Sequence, residues 1–276
     1  MRFGSRLDAA VRSRGRLCAG IDPHASLLQQ WGLADDVAGL ERFAMTAVDA
    51  LAEVCAVVKP QSAFFERHGA RGIAVLERVV AGCRERGALV LLDVKRGDIG
   101  STVQAYADAY LDPASPLAAD AVTASPFLGL GSLDPLVRTA LDNDAGVFVL
   151  ALTSNDEGRQ VQHATTCDGR SVGAAMLSAL RERNADSADG SLGAVVGATV
   201  ELPADVTAAT LDIGGPLLVP GIGAQGGTLA DVQRVFGPAT RHVLPSSSRE
   251  ILSAGPGVDA LRDAARRTAE TFTALA

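Results

Sequence analysis

The chain's 276 residues suit one large domain or two small ones, and a 47% hydrophobic content supplies a sizeable core. Aromatic residues are only 4% and the formal net charge is -7, which argues against general DNA or RNA binding, a role that needs a basic footprint. No stretch reaches the roughly 18 apolar residues of a membrane span, and no apolar segment follows the N-terminal arginines as in a secretory signal, so a cytoplasmic protein that binds no membrane is expected.

In chain order, a helix around Leu7, Ala10 and Val11 precedes a first strand over residues 17–21. Leu40, Phe43, Ala44, Ala47, Val48 and Leu51 follow the i, i+3, i+4 pattern of an amphipathic helix, and a second strand over 56–59 follows. Ile73, Leu76, Val80 and Cys83 mark the next helix, with Gly87 where a glycine cap is expected. Further strands are predicted over 89–94, 121–124, 146–152, 193–198, 216–220 and 241–244. Ser132 is placed to cap a helix carrying Leu136, Val137, Ala140 and Leu141. Residues 184–191 are polar and read as a surface loop. Val258, Leu261, Ala265, Thr268 and Phe272 form a last amphipathic helix.

Strands alternating with helices argue for parallel βαβ units. Their number and the chain length favour a closed (β/α)8 TIM barrel spanning 1–276 as one domain, with the short N-terminal helix ahead of the first strand. An open doubly wound sheet is the alternative. Cys18, Cys55, Cys83 and Cys167 contain no C-x-x-C pair and read as reduced thiols. His24, His68, His163 and His242 lack metal-ligand spacing and read as surface or loop residues, so no metal is expected.

In a barrel the active site lies where strands end and loops begin. Those positions here hold Asp22, Lys59, Asp93, Lys95, Ser125, Thr153, Ser154, a glycine loop after Pro220, and 246–249. Asp22 precedes a proline, so a simple turn is an alternative for it, as a solvated charge is for Lys59 ahead of Pro60. The stretch Asp93-Val-Lys-Arg-Gly-Asp98 is more telling. It ends a central apolar run with three charges, and a strand period of two sets Asp93 and Lys95 on one side, with Asp98 beyond the strand. Charges are rarely buried unless paired, so a charge array built for chemistry is expected there; a surface ion-pair ladder is the alternative. Pro220-Gly-Ile-Gly-Ala-Gln-Gly-Gly227 offers backbone N–H groups to a ligand and precedes a helix start near Thr228, an arrangement suited to phosphate as well as to a structural turn. Arg249, after the eighth strand, has the fork for phosphate oxygens, or else pairs with Glu250.

Together these residues resemble the orotidine 5′-phosphate decarboxylase family, most closely its longer bacterial (type 2) subgroup. The family hallmark, Asp-x-Lys-x-x-Asp followed by Ile-x-x-Thr, stands here as Asp93-Val-Lys95-Arg-Gly-Asp98-Ile99-Gly-Ser-Thr102, and the Pro-Gly-Ile-Gly-Ala-Gln-Gly-Gly loop is a second match. The resemblance runs from Asp22 to Arg249 and implies cofactor-independent decarboxylation of orotidine 5′-monophosphate to UMP and CO2. It implies that Lys95 protonates C6, that Asp93 lies beside the departing CO2, and that Lys59 contacts the ribose and completes a Lys-Asp-Lys-Asp array. It further implies a homodimer with shared sites, in which Asp98, Ile99 and Thr102 serve the neighbouring subunit. Asp22 would bind the ribose 3′-hydroxyl, Ser154 the pyrimidine, and Gln225 and Arg249 the phosphate. Two departures stand out. Ser248 replaces a glycine common before the phosphate arginine, and Gln61 replaces an asparagine found in some relatives. Rival readings are a Mg2+-dependent sugar-phosphate decarboxylase or aldolase of the same suprafamily, a class I aldolase with Lys95 as Schiff base, and a non-catalytic barrel that binds a phosphate ligand.

Overall fold

In the computed structural model, which describes residues 1–185, 190–223 and 226–275, eight parallel strands close on themselves in chain order. They are β1 (Cys18–Ile21), β2 (Val57–Pro60), β3 (Leu89–Arg96), β4 (Ala121–Ala124), β5 (Gly146–Leu152), β6 (Leu192–Val196), β7 (Leu217–Val219) and β8 (Val243–Ser247). Closure comes from β8 pairing back onto β1 through Cys18↔Ser246 and Ala19↔Ser247. This is the expected (β/α)8 barrel, not the open sheet.

Strand alternation sorts the core into two shells. One residue from each strand packs into the lumen: Cys18, Val57, Leu91, Ala121, Phe148, Val195, Leu218 and Leu244. The N-terminal helix Phe3–Arg14 closes the lower end of this lumen with Phe3 and Leu7. Phe3 meets Phe148 edge to face at 6.0 Å between centroids, and Gly146 leaves the room its ring needs. The second shell lies between strands and outer helices. There the predicted helix stripes, such as Leu40, Phe43, Ala47 and Leu51 of Val37–Leu51, are fully buried.

The helix Gly69–Glu85 ends as the glycine signal predicts. Gly87 has φ +77°, its N–H donates to Arg84 O at 2.9 Å, and the Ala88 N–H donates to Cys83 O at 3.1 Å, closing a Schellman turn. Several expectations are corrected. Ser132 does not cap a helix; it lies within a 3-10 turn, Leu130–Leu133, and its hydroxyl donates to Gly129 O at 2.8 Å. β7 is shorter than predicted because Pro216 and Pro220 lack an N–H, though their carbonyls still accept from Ala194 and Ala198. β8 begins later, after the 3-10 segment Gly237–His242, and runs on through Pro245, Ser246 and Ser247. Those residues look like a loop in isolation and become strand only because β1 and β7 flank them. Nor are residues 184–191 uniformly a surface loop. Asn184 ends the helix Val172–Ala185, is buried, and donates to Leu192 O and Ile213 O at 2.8 and 2.9 Å; Ser191 is also buried. Residues 186–189 lie outside the described residues. Among the described residues no helix is long and apolar enough to cross a membrane.

Candidate active site

Two residues up each strand from the lumen layer, the same alternation points to Gly20, Lys59, Asp93, Thr123, Leu150, Gly197, Pro220 and Ser246. The barrel core thus turns from apolar to polar within one layer at the carboxyl ends of its strands. Asp93 is the hub of that layer. Its Oδ2 accepts from Lys59 Nζ and Gln61 Nε2, each at 2.9 Å. Its Oδ1 accepts from Lys95 Nζ at 2.6 Å and from the Thr123 hydroxyl at 2.8 Å. Four donors from three strands and a loop therefore saturate one buried carboxylate.

Lys59 and Asp93 are each 6% exposed. Burial opposes ionisation of Asp93, but the Lys59 and Lys95 charges outweigh it and hold the carboxyl well below the usual carboxylate range. Burial likewise opposes the Lys59 charge, and Asp93 together with Asp22 outweighs it, raising the ammonium above an ordinary lysine. Beneath this layer, burial pushes the Cys18 thiol up to about 12, so it is an inert part of the floor.

Regular strand geometry does not bring Lys95 to Asp93. Lys95 has φ +44°, in the left-handed region, and the β3–β4 register shifts between Leu92 and Arg96. The Lys95 N–H leaves the ladder and donates to Thr123 Oγ1 at 2.9 Å. The side chain folds back over Asp93 while remaining about half exposed, at the mouth of a hollow lined by Gln61, Phe64, Asp93 and Arg96.

An adjoining cleft of about 220 Å3 is lined by Asp22, His24, Lys59, Gly221, Ser248 and Arg249, among others. Gly20 lets β1 pass under it: a Cβ there would come within 2.6 Å of Ser248 Cβ and 3.2 Å of Asp22 Oδ1. Asp22 Oδ1 and Ser248 Oγ are buried with no hydrogen-bond partner among the described residues. The His24 ring meets Phe64 edge to face at 4.3 Å between centroids and joins this cleft to the Lys95 hollow. Arg249 opens the short helix Arg249–Leu252 at the cleft's rim, exposed, and among the described residues no ion pair ties it to Glu250. Glu250 turns instead toward Gly223, whose φ of +70° favours glycine. Gln225 lies outside the described residues.

Asp98 does not join the array. Its Oδ1 accepts from the Ile99 N–H at 2.8 Å, just ahead of the helix Gly100–Leu111. Ile99 is 61% exposed and Thr102 is exposed on the first turn of that helix. Ser154 follows β5 and packs against Gly197, where a Cβ would come within 2.9 Å of Ser154 Cβ. All four cysteines are free thiols. No group of three or more His, Cys, Asp or Glu among the described residues is arranged to hold a metal.

Sequence reasoning missed Thr123 and His24 and left Gln61 open. The trace of Thr123 was one hydroxyl inside an otherwise apolar four-residue strand. His24 was signalled only by its place two residues after Asp22.

A closed parallel barrel with a Lys–Asp–Lys cluster at its strand ends defines a (β/α)8-barrel enzyme, whose chemistry belongs at that face. The chain belongs to the orotidine 5′-phosphate decarboxylase / HUMPS family, whose model matches residues 15–264. It is 63% identical over 270 residues to an orotidine 5′-phosphate decarboxylase of Nocardioides sp., covering 96% of this chain and 97% of that one. The corresponding protein of Streptomyces coelicolor is 60% identical over 97% of this chain and 95% of its own length. A crystal structure from Streptomyces avermitilis, assigned to the same activity, superposes with a TM-score of 0.95 at 59% identity, covering 99% of this chain and 95% of that one.

Proposed function

We propose that this decarboxylase, a carboxy-lyase, converts orotidine 5′-monophosphate to UMP and CO2 without a cofactor, and that Lys95 delivers the proton to C6. The observation that carries the assignment of roles is the fourfold-bonded Asp93 with Lys95 folded back over it. Loss of CO2 from C6 leaves a vinyl carbanion with no adjacent carbonyl to delocalise it. Stabilisation must then come from charges already fixed in place, usually the largest single catalytic contribution. The Lys95 ammonium supplies both a cation at the carbanion and the proton that quenches it. After transfer the pair becomes a C6–H bond and a neutral amine, which regains its proton from water. Asp93 orients that ammonium, and Lys59 and Gln61 hold Asp93.

Asp22 and Ser248 support a nucleotide seated in the adjoining cleft, because a ribose hydroxyl and a phosphate complete their unpaired buried oxygens. Arg249 at the rim has the geometry to fork onto phosphate oxygens, with Gln225 as its proposed companion and Ser154 at the pyrimidine. Remote phosphate binding of this kind can be spent on the reacting centre.

The working unit is read as a homodimer of single-barrel subunits spanning 1–276. Asp98 is not among the residues that line the Lys95 hollow, and Ile99, Phe127 and Leu128 are large apolar side chains exposed at 61%, 75% and 55%. These features support a subunit contact that carries Asp98, Ile99 and Thr102 to the neighbouring site. Four free cysteines support a reducing, cytoplasmic setting.

The test is the fall in orotidine 5′-monophosphate absorbance with purified protein in EDTA. Turnover at the untreated rate is expected. Turnover abolished by EDTA and restored by Mg2+ would favour the sugar-phosphate rival. Borohydride inactivation that depends on substrate would favour a Schiff base.

A further inference from the structure

We propose that Arg96 is a positioning residue, which grips the Val94–Lys95 peptide and so holds Lys95 in the backbone turn that aims its ammonium at the reacting carbon. The inference rests on the role given to Lys95 above.

A left-handed lysine is strained and persists only where its surroundings over-determine it. The φ of Lys95 is set by the plane of the peptide before it, and that peptide is held from both sides. Its N–H donates to Thr123 Oγ1 at 2.9 Å, and its carbonyl, Val94 O, accepts from Arg96 Nη1 at 3.2 Å. The Arg96 side chain is itself immobilised. Nη2 donates to Glu66 Oε1 at 2.5 Å and to the Tyr110 hydroxyl at 3.2 Å. The guanidinium carbon lies 5.5 Å from the Tyr106 ring centroid and 5.8 Å from that of Tyr110, within cation–π range. The chain has only two tyrosines, and both are spent on this one side chain.

The grip also reaches the other side of the site. Glu66 accepts from the Ser62 hydroxyl at 2.6 Å, and the Ser62 N–H donates to Asp93 O at 3.2 Å. Asp93, Ser62, Glu66, Arg96 and Val94 therefore form a closed ring of contacts around the Lys95 turn. A packing role alone would be met by an apolar residue against two aromatic rings. Reaching Glu66, Tyr110 and Val94 at once needs a planar group with several donors, which a lysine lacks.

Four variants test this, with kcat and KM for orotidine 5′-monophosphate and the Kd of UMP as readouts. A misplacement of about 1 Å costs on the order of 100-fold in rate, so Arg96→Met is expected to lose about 10- to 100-fold in kcat while KM and the UMP Kd stay within about threefold. Arg96→Lys is expected to recover little of that loss. Arg96→Ala is expected to regain about tenfold or more in kcat with millimolar ethylguanidinium, which should do nothing for Lys95→Ala. Glu66→Gln supplies a milder readout, a smaller kcat loss at unchanged KM, should Arg96→Met fail to fold. A kcat for Arg96→Met within about threefold of wild type, beside an inactive Lys95→Ala, overturns the role of Arg96 alone. So does a parallel loss of kcat and UMP binding, which a structural role would give. An active Lys95→Ala overturns the reading of Lys95 and this inference with it.

Discussion

Asp93 Oδ1 lies 2.6 Å from Lys95 Nζ, although the two residues are separated by a single position on one strand. An extended strand would send both side chains outward in parallel. The contact exists because φ at Lys95 is +44°, which folds the lysine back onto the acid. The closeness of this pair reflects a local break in β3 rather than strand periodicity.

Lys95→Ala should leave less than a few per cent of wild-type kcat, because proton and cation leave together. The Lys95 side chain is about half exposed, so little burial is lost. Thermal unfolding should therefore move by only a few degrees, the equivalent of about 1 kcal/mol. Steady-state kinetics and a melting curve check both halves; substantial residual turnover would contradict the role of Lys95.

Thr123→Val keeps the volume but removes the hydroxyl that accepts from the Lys95 N–H and donates to Asp93. The part-buried Lys95 N–H loses its acceptor and Asp93 Oδ1 is left with Lys95 Nζ alone, a cost of about 1–3 kcal/mol. The expected result is a drop in unfolding free energy of that order, with kcat falling more than KM rises. Denaturant titration and substrate saturation curves measure the two effects.

Asp93 gives stability a definite acid dependence. Its carboxyl in the folded chain lies well below the usual range, through Lys59 and Lys95. The sign follows by linkage: its contribution is fully present above the unfolded value, about 3.9, and fades as pH falls below that toward the folded value. Asp93→Asn should therefore unfold more easily at pH 7, by roughly 3 kcal/mol as for a broken buried pair. Its stability should also fall less steeply than wild type between about pH 4 and pH 2. Parallel slopes for the two proteins would show that Asp93 is not the titrating group.

The proposed sharing of sites makes a quantitative prediction about mixed dimers. If Asp98 serves the partner, a heterodimer of Lys95→Ala and Asp98→Ala subunits contains one intact site and one doubly defective one. Co-refolding equal amounts of two nearly inactive variants should then restore about a quarter of wild-type activity, since half the dimers are mixed and each has one working site. No recovery, with mixed dimers confirmed by mass, would keep Asp98 within its own subunit's site.

The amino-acid order by itself determined the alternation of strands and helices, because buried parallel strands need short apolar runs and their covering helices need one apolar stripe. It also marked Asp22, Lys59, Asp93 and Lys95 as charges at the ends of apolar runs, and Arg249 beyond the eighth strand. Only the tertiary structure decided how those charges meet. Lys59 is 34 positions from Asp93 and Thr123 is 30, and no local pattern relates them until the barrel sets β2, β3 and β4 side by side. The same holds for Ser246 and Ser247, which read as loop until β1 pairs with them. Periodicity reports which way a residue faces along its own strand. Its partners across the barrel, and the left-handed turn at Lys95, depend on hydrogen bonds between segments far apart in the chain.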